Sequence, residues 1–253
     1  MLAEERQQMI LAMLEEKGIV RLQDICESVE CSESSARRDL QVLEEKGLLL
    51  RFHGGGAKLK HSLQQELDMS GKFSKNTQQK SGIAKLAASL VQDGDVIYLD
   101  AGTSTLAMIS FLHAGKNLVV VTNGVMHASA LADQNIRTIL VGGELKNTTK
   151  AIIGGVETVK KLQQYRFDKV FLGMNGVHLQ YGYTTPDPDE AAVKQTAIAQ
   201  GERAYVLVDE SKFDQISFVK VAEIADAAII TNKLPRQVLD QYSNQTNIQE
   251  VSI

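Results

Sequence analysis

Six short, continuously apolar runs between residues 96 and 230 narrow most sharply what this chain can fold into. They fall at 96–99, 118–121, 138–141, 169–172, 204–208 and 228–230, with helical stretches between them. A strand that is apolar on both sides must be covered on both sides, and a parallel sheet achieves this by placing a crossover helix between successive strands. The pattern predicts an α/β domain built on a mostly parallel sheet. A helix marked by Ile83, Ala84, Leu86, Ala87, Leu90 and Val91, closed at Asp93-Gly94, precedes the first run. With 253 residues, 43% of them hydrophobic, the chain can bury such a core and still build a second domain.

That second domain is expected at the N-terminus. Met9, Ile10, Met13 and Leu14 give residues 4–17 an apolar side, and Gly18 is the expected stop. Ile19 and Val20 suit a short strand. Leu22, Ile25, Cys26 and Val29 then repeat at i, i+3, i+4, i+7, the stripe of a second helix. Only Glu30 and Cys31 separate it from Ser32, whose hydroxyl can cap a third helix, with Ala36, Leu40, Leu43 and Leu48 keeping an apolar stripe at roughly helical spacing. Gly47 should end that helix, and 48–52 followed by Gly54-Gly55-Gly56 reads as a hairpin, or wing. Two amphipathic helices joined by a short turn make a helix-turn-helix, in which the second helix enters the major groove. On this reading Ser34, Ser35, Arg37 and Arg38 face DNA from the helix, and Arg51 and His53 project from the wing. The alternative is a plain three-helix packing unit in which Arg37 and Arg38 are solvated and Asp39 pairs with one of them.

Charge supports the DNA reading locally. The chain carries a net charge of −4, but residues 31–60 hold six basic against four acidic side chains, whereas residues 1–30 hold three against seven. Phosphate binding depends on the local field, not the chain total.

The run A-R-R-D-L-x-x-L-E-E-x-G-L-L-x-R-x-H-G-G, from Ala36 to Gly55, resembles the N-terminal signature of the DeoR family of bacterial transcriptional regulators. The resemblance implies a winged helix-turn-helix that binds operator DNA. Residues 58–80, polar, broken at Gly71 and low in periodic apolar residues, read as a linker with a helical turn near 63–67, between a DNA-binding domain over 1–57 and an effector-binding and oligomerisation domain over 81–253.

In open parallel sheets, ligands bind beyond the carboxyl ends of the strands. Polar, glycine-rich segments follow five of the six runs here. Asp100, Gly102, Thr103, Ser104 and Thr105 follow the first, Asn123 the second, Gly143 the third, Asn175 the fourth, and Lys212 the fifth, while Glu190 and Lys194 lie on a helix after a T-T-P-D-P-D run. Hydroxyl residues at a helix N-terminus offer free N–H groups to a phosphate, although G-T-S-T is also an ordinary helix cap. Together these groups suit a polyol phosphate. Thr103, Ser104 and Thr105, helped by Lys212, are expected to hold the phosphate, and Asn123, Asn175, Glu190 and Lys194 the sugar. Neither a Walker motif nor G-x-G-x-x-G occurs, so no nucleotide cofactor is expected.

These segments, D-A-G-T-S-T, V-T-N-G, G-G-E, F-x-G-x-N-G, E-A-A-V-K and D-E-S-K-F, also resemble in order the C-terminal domain of the DeoR family, a domain similar to ribose-5-phosphate isomerase. The isomerase's acidic G-A-D-E loop corresponds to Gly173-Met174-Asn175-Gly176, which lacks its carboxylates. The resemblance therefore implies a non-enzymatic repressor of a sugar operon, assembled as a dimer or tetramer and released by a sugar phosphate. The run from Thr184 to Ala191 looks most like that of fructose operon repressors, which favours fructose 1-phosphate, with tagatose 6-phosphate next. An isomerase-like enzyme and a ligand-dependent activator remain the alternatives.

Cys26 and Cys31, the only cysteines, have no neighbouring His and cannot complete a shell of about four zinc ligands. They are read as buried, reduced packing residues in preference to a disulfide or a metal site. No apolar run approaches the roughly 20 residues of a membrane span, and the first ten residues are acidic where a signal peptide is basic, so a cytoplasmic protein without a membrane partner is expected.

Overall fold

A computed structural model describes residues 3–17, 19–46, 48–52, 55–59, 63, 75–113, 117–152 and 155–251. The chain divides into two compact units, Met1–Ser62 and Leu63–Ile253.

The first unit runs α1 (Ala3–Lys17), β1 (Ile19–Arg21), α2 (Leu22–Ser28), α3 (Glu33–Glu45), β2 (Leu49–Phe52) and β3 (Gly56–Leu59). Ile10, Leu14, Val20, Ile25, Val29, Ala36, Leu40, Leu43 and Leu49 form its core, the helical spacing having put these side chains on facing stripes. Ser32 caps α3 as expected, accepting the Ser35 N–H at 3.3 Å. Asp39 does not pair with Arg37 or Arg38. Its position one turn from Ala36 and Leu43 places it on the inner face, where it meets Arg6 of α1 at 2.7 Å with only 4% of its side chain exposed. The strands form an antiparallel sheet ordered β1-β3-β2. Gly55, at φ 88, closes the wing, and a Cβ there would press on Leu22 at 3.3 Å. Because β3 includes Lys58 and Leu59, the wing reaches past residue 57, into the stretch read from sequence as linker. The expected stops at Gly18 and Gly47, and most of the expected turn at 63–67, lie outside the described residues.

The second unit opens with α4 (Thr77–Ser89), which also starts inside the expected linker. It continues β4 (Val96–Leu99), α5 (Thr103–Ile109), β5 (Val119–Thr122), α6 (Val125–Asp133) and β6 (Arg137–Leu140). A hairpin follows, β7 (Leu145–Lys146) and β8 (Ala151–Ile152), then α7 (Gly155–Leu162) and β9 (Phe167–Leu172). The remainder is β10 (Gly176–His178), β11 (Gly182–Thr185), α8 (Pro188–Gln200), β12 (Gly201–Leu207), β13 (Val219–Ala222), β14 (Ala228–Asn232), α9 (Arg236–Ser243) and β15 (Ile248–Val251).

Seven strands form one parallel sheet ordered β15-β14-β12-β9-β4-β5-β6. All six apolar runs appear in it, shifted at most a few residues at their ends. Alternate side chains of each strand feed two cores. Ile97, Leu99, Val120, Phe171 and Leu207 pack under α4, α5 and α6, while Tyr98, Val121, Val170, Leu172 and Val206 pack under α7, α8 and α9. From β4 the chain winds outward through β5 and β6, then returns to β9 on the other side of β4 and winds the opposite way. The β4/β9 boundary is therefore the topological switch point, where diverging connections leave a crevice at the strand ends. A small antiparallel sheet, β10-β11-β13, flanks α8.

Candidate functional site

The crevice at the switch point is a cavity of about 110 Å³, room for several water-sized groups. Its walls come from the loops after β4 and β9, the N-termini of α4 and α5, the β7–β8 turn, α8, and the segment after β12. Among the lining residues, Lys75, Lys80, Lys194 and Lys212 oppose Asp100, Glu190 and Asp209, one net positive charge in a chain of −4.

Asp100 and Lys194 hold the two central loops together. The Asp100 carboxylate accepts the Gly173 N–H at 3.1 Å and meets the Lys194 ammonium, which also donates to the Gly173 carbonyl at 3.0 Å. Next to them α5 begins at Gly102 with Thr103 and Ser104 on the cavity wall. The first N–H groups of a helix have no partner within it, so this end offers donors and the positive end of the helix dipole to an anion.

Thr105 does something different from what its place in the motif suggests. It is fully buried, with its hydroxyl 2.5 Å from the Asp100 carbonyl, 2.8 Å from the Gly102 carbonyl and 3.1 Å from His127 Nε2. It braces the loop from behind and does not line the cavity. Burial pushes the His127 pKa down to about 4, so its ring is neutral at pH 7. A Cβ at Gly124 would lie 2.4 Å from His127 Nδ1, which fixes that position as glycine.

Asn123 reaches the wall, but its side chain is occupied in shaping it. Its Oδ1 accepts from the Tyr98 hydroxyl at 2.9 Å and the Ala101 N–H at 3.1 Å, and its Nδ2 donates to the Ile152 carbonyl at 3.2 Å. Glu190 is gripped by Lys146 at 3.1 Å and Thr149 at 2.9 Å from the hairpin turn, and by Thr185 at 3.5 Å. Thr185 also donates to Asn175 Oδ1 at 3.1 Å. Gly143 is exposed and lies off the cavity, because β6 is two strands away from the switch point.

The structure thus brings Asp100, Gly102, Thr103, Ser104, Asn123, Asn175, Glu190, Lys194 and Lys212 to one cavity and leaves Thr105 and Gly143 off its surface. Lys75, Asn76, Lys80 and Thr149 also line the wall outside every motif of the sequence, and Asp209 joins them from the D-E-S-K-F segment that carries Lys212. The first three lie in the stretch read as linker, where polar neighbours on both sides mask them. Among the described residues, no group of His, Cys, Asp and Glu is placed to hold a metal ion, and no helix is long and apolar enough to cross a membrane.

On the first unit, Ser34, Arg37 and Arg38 are exposed along one side of α3, with Ser35 partly so. The Ser34 and Ser35 hydroxyls lie 2.9 and 3.0 Å from that of Ser32, and Arg37 meets Glu33 at 3.4 Å. Arg51 is turned back from the wing, its Nε 2.6 Å from the Glu44 carboxylate of α3. The Arg51 backbone N–H and then its guanidinium hold the Glu44 pKa below the usual range. His53 lies outside the described residues.

Residues 6–62 match the DeoR-like helix-turn-helix domain and residues 75–233 the DeoR C terminal sensor domain. The chain is 51% identical over 251 residues, 99% of each protein, to the HTH-type transcriptional regulator FruR of Bacillus subtilis (strain 168), itself uncharacterized. It is 33% identical over 248 residues, 96% of each, to the Lactose phosphotransferase system repressor of Lactococcus lactis subsp. lactis. Among solved structures, ribose 5-phosphate isomerase A of Methanocaldococcus jannaschii aligns with 55% of each chain at 20% identity and a TM-score of 0.41. The chain belongs to the DeoR family of transcriptional regulators, with that family's helix-turn-helix domain at its N-terminus and its sensor domain behind it.

Proposed function

We propose that this regulator is a cytoplasmic repressor of a sugar-utilisation operon, released from operator DNA when a phosphorylated sugar enters the switch-point cavity. The observation that carries this reading is the pairing of a helix N-terminus with four lysines around one glycine-lined crevice, inside a chain of net negative charge. Thr103 and Ser104 with their backbone N–H groups take the phosphate, Lys212 assists, and Asn175, Glu190 and Lys194 meet the sugar. Fructose 1-phosphate is the preferred effector, on the T-T-P-D-P-D-E-A run, and tagatose 6-phosphate the next. The name of the Lactococcus relative, a Lactose phosphotransferase system repressor, agrees with repression and with a sugar as the substrate class.

On α3, Arg37 and Arg38 contact bases or phosphates, with Ser34 and Ser35 small enough to allow close approach. One such module contacts a short half-site, so a dimer or tetramer supplies the affinity. The effector must bind the DNA-incompetent arrangement more tightly, since equal affinity for both would shift nothing.

The carboxylates of Asp100 and Glu190 are each committed to a lysine and at least one further donor, which supports a binding role over proton abstraction in an isomerase. Operator binding titrated with individual sugar phosphates tests the proposal. Fructose 1-phosphate should weaken it at millimolar concentration or below, and the effector assignment fails if no sugar phosphate does. Reporter output with the gene deleted should rise for a repressor and fall for an activator.

A further inference from the structure

Helix α2 ends in a way that places the chain's two cysteines together. Its C-cap is Val29, Glu30 follows at φ 48, and the Cys31 N–H returns to the Cys26 carbonyl at 3.2 Å. This six-residue return is the Schellman closure of a helix, which sets the second residue past the cap against the residue three before it. That contact is ordinarily apolar. Here both partners are thiols, in hydrogen-bonding reach of one another and each partly open to solvent. Burial first, and then Cys31, push the Cys26 thiol up.

We propose that Cys26 and Cys31 form a reversible intramolecular disulfide that controls the recognition helix. The oxidant is a hydroperoxide such as hydrogen peroxide. With hydrogen peroxide, one cysteine attacks as its thiolate, the O–O bond breaks, and a sulfenic acid and one water result; the second thiol attacks that sulfur, forming the S–S bond and releasing a second water. The two thiols lose two electrons and two protons, and the peroxide takes them.

The consequence follows from position. Cys31 directly precedes Ser32, the cap of α3, and Ser34, Ser35, Arg37 and Arg38 lie within the next two turns. An S–S bond of about 2.05 Å is much shorter than a thiol contact, so closing it draws residue 31 toward α2 and shifts the start of the helix. Base contacts tolerate displacements of only about 0.5 Å, so the oxidised protein should release its DNA. This makes the module responsive to peroxide independently of the cavity in the second unit, and it rests on the reading of α3 as the DNA-contacting helix.

The test uses the full-length chain and a duplex that the reduced protein selects from a randomised library. Peroxide should leave the tryptic peptide 22–37 two hydrogens lighter, remove both free thiols, and weaken duplex affinity at least about tenfold, with dithiothreitol restoring all three. Cys26→Ala and Cys31→Ala should bind the duplex but lose the reversible response. The proposal is overturned if the peptide gains oxygen instead, if chains cross-link, or if the disulfide forms and affinity stays the same. If the reduced chain selects no duplex, the DNA-binding reading fails, while the peptide mass and amide exchange over residues 32–38 still decide the disulfide.

Discussion

Arg37 and Glu33 on α3 stand 3.4 Å apart with 61% and 62% of their side chains in solvent, whereas Lys194 and Asp100 in the second unit meet with 7% and 5% exposed. Both are ion pairs, yet they are suited to different work. An exposed pair contributes roughly 0–1 kcal/mol and is screened by salt, so Arg37 can exchange Glu33 for a phosphate at little cost. A buried pair has given up its hydration, and neither partner can be removed without stranding the other. The charge on the outer side of α3 is available for a ligand, whereas Arg6–Asp39 in the same unit is largely buried. Charge at the switch point first builds the cavity wall and only then meets a ligand.

The largest expected effect comes from breaking the buried pair. Lys194→Met leaves the Asp100 carboxylate in the interior with the Gly173 N–H as its remaining described donor. A loss of about 3–5 kcal/mol is expected in denaturant unfolding of the second unit. A loss below about 1 kcal/mol would show that the pair is solvated like Arg37–Glu33. Close behind is a pH effect. His127 titrates near 6.5 when unfolded and at about 4 when folded, so the unfolded chain binds more protons between those values. Stability is therefore complete above about pH 6.5 and falls as pH drops toward 4, by roughly 3 kcal/mol over the window. His127→Gln should flatten that part of the curve, and an unchanged slope would mean that the ring is hydrated.

Gly124→Ala should have a smaller effect of the same kind. The added methyl meets the His127 ring at 2.4 Å, so the ring must leave its place behind Thr105. A cost of about 1–3 kcal/mol is expected from overpacking, together with weaker binding of the effector through the displaced α5 N-terminus. Pairing it with His127→Ala should recover much of the stability, and strictly additive costs would show that the two residues are not in conflict.

The two units also differ in how much the sequence discloses. Strand runs such as Val96–Leu99 and the stripes of α1 to α3 are written in apolar spacing, a local pattern, and the structure reproduces them within a few residues, except that Met9 and Leu48 of the expected stripes are exposed. The cavity loops were legible because hydroxyls and glycines cluster at strand ends. Which way each side chain turns was not. Thr103 and Thr105 look equivalent in the motif, but only the tertiary position of His127 and the Asp100 carbonyl turns Thr105 inward. Asp39 shows the same limit, since its partner Arg6 lies 33 residues away. The strands β10, β11 and β13 carry Gly, His, Thr and Lys in place of a continuous apolar run, so they gave no strand signal, and Lys75 and Lys80 were hidden in polar sequence.

The smallest effect on stability, and the one that most sharpens the contrast, comes from the pair intermediate in exposure. Arg51 and Glu44 are 39% and 34% exposed, and the carboxylate binds both the Arg51 backbone and its guanidinium. In that state the guanidinium is spent inside the module and adds little to the DNA-facing field. Glu44→Gln keeps an acceptor for the backbone N–H but removes the charge that holds the side chain, leaving Arg51 able to reach a phosphate. Folding should hardly change. Duplex affinity at low salt should rise severalfold, and the dependence of log affinity on log salt should steepen by about one unit, the signature of one more neutralised phosphate. An unchanged salt slope would place Arg51 with the structural charges of the second unit, and Arg37 and Arg38 would then carry the DNA contact from α3.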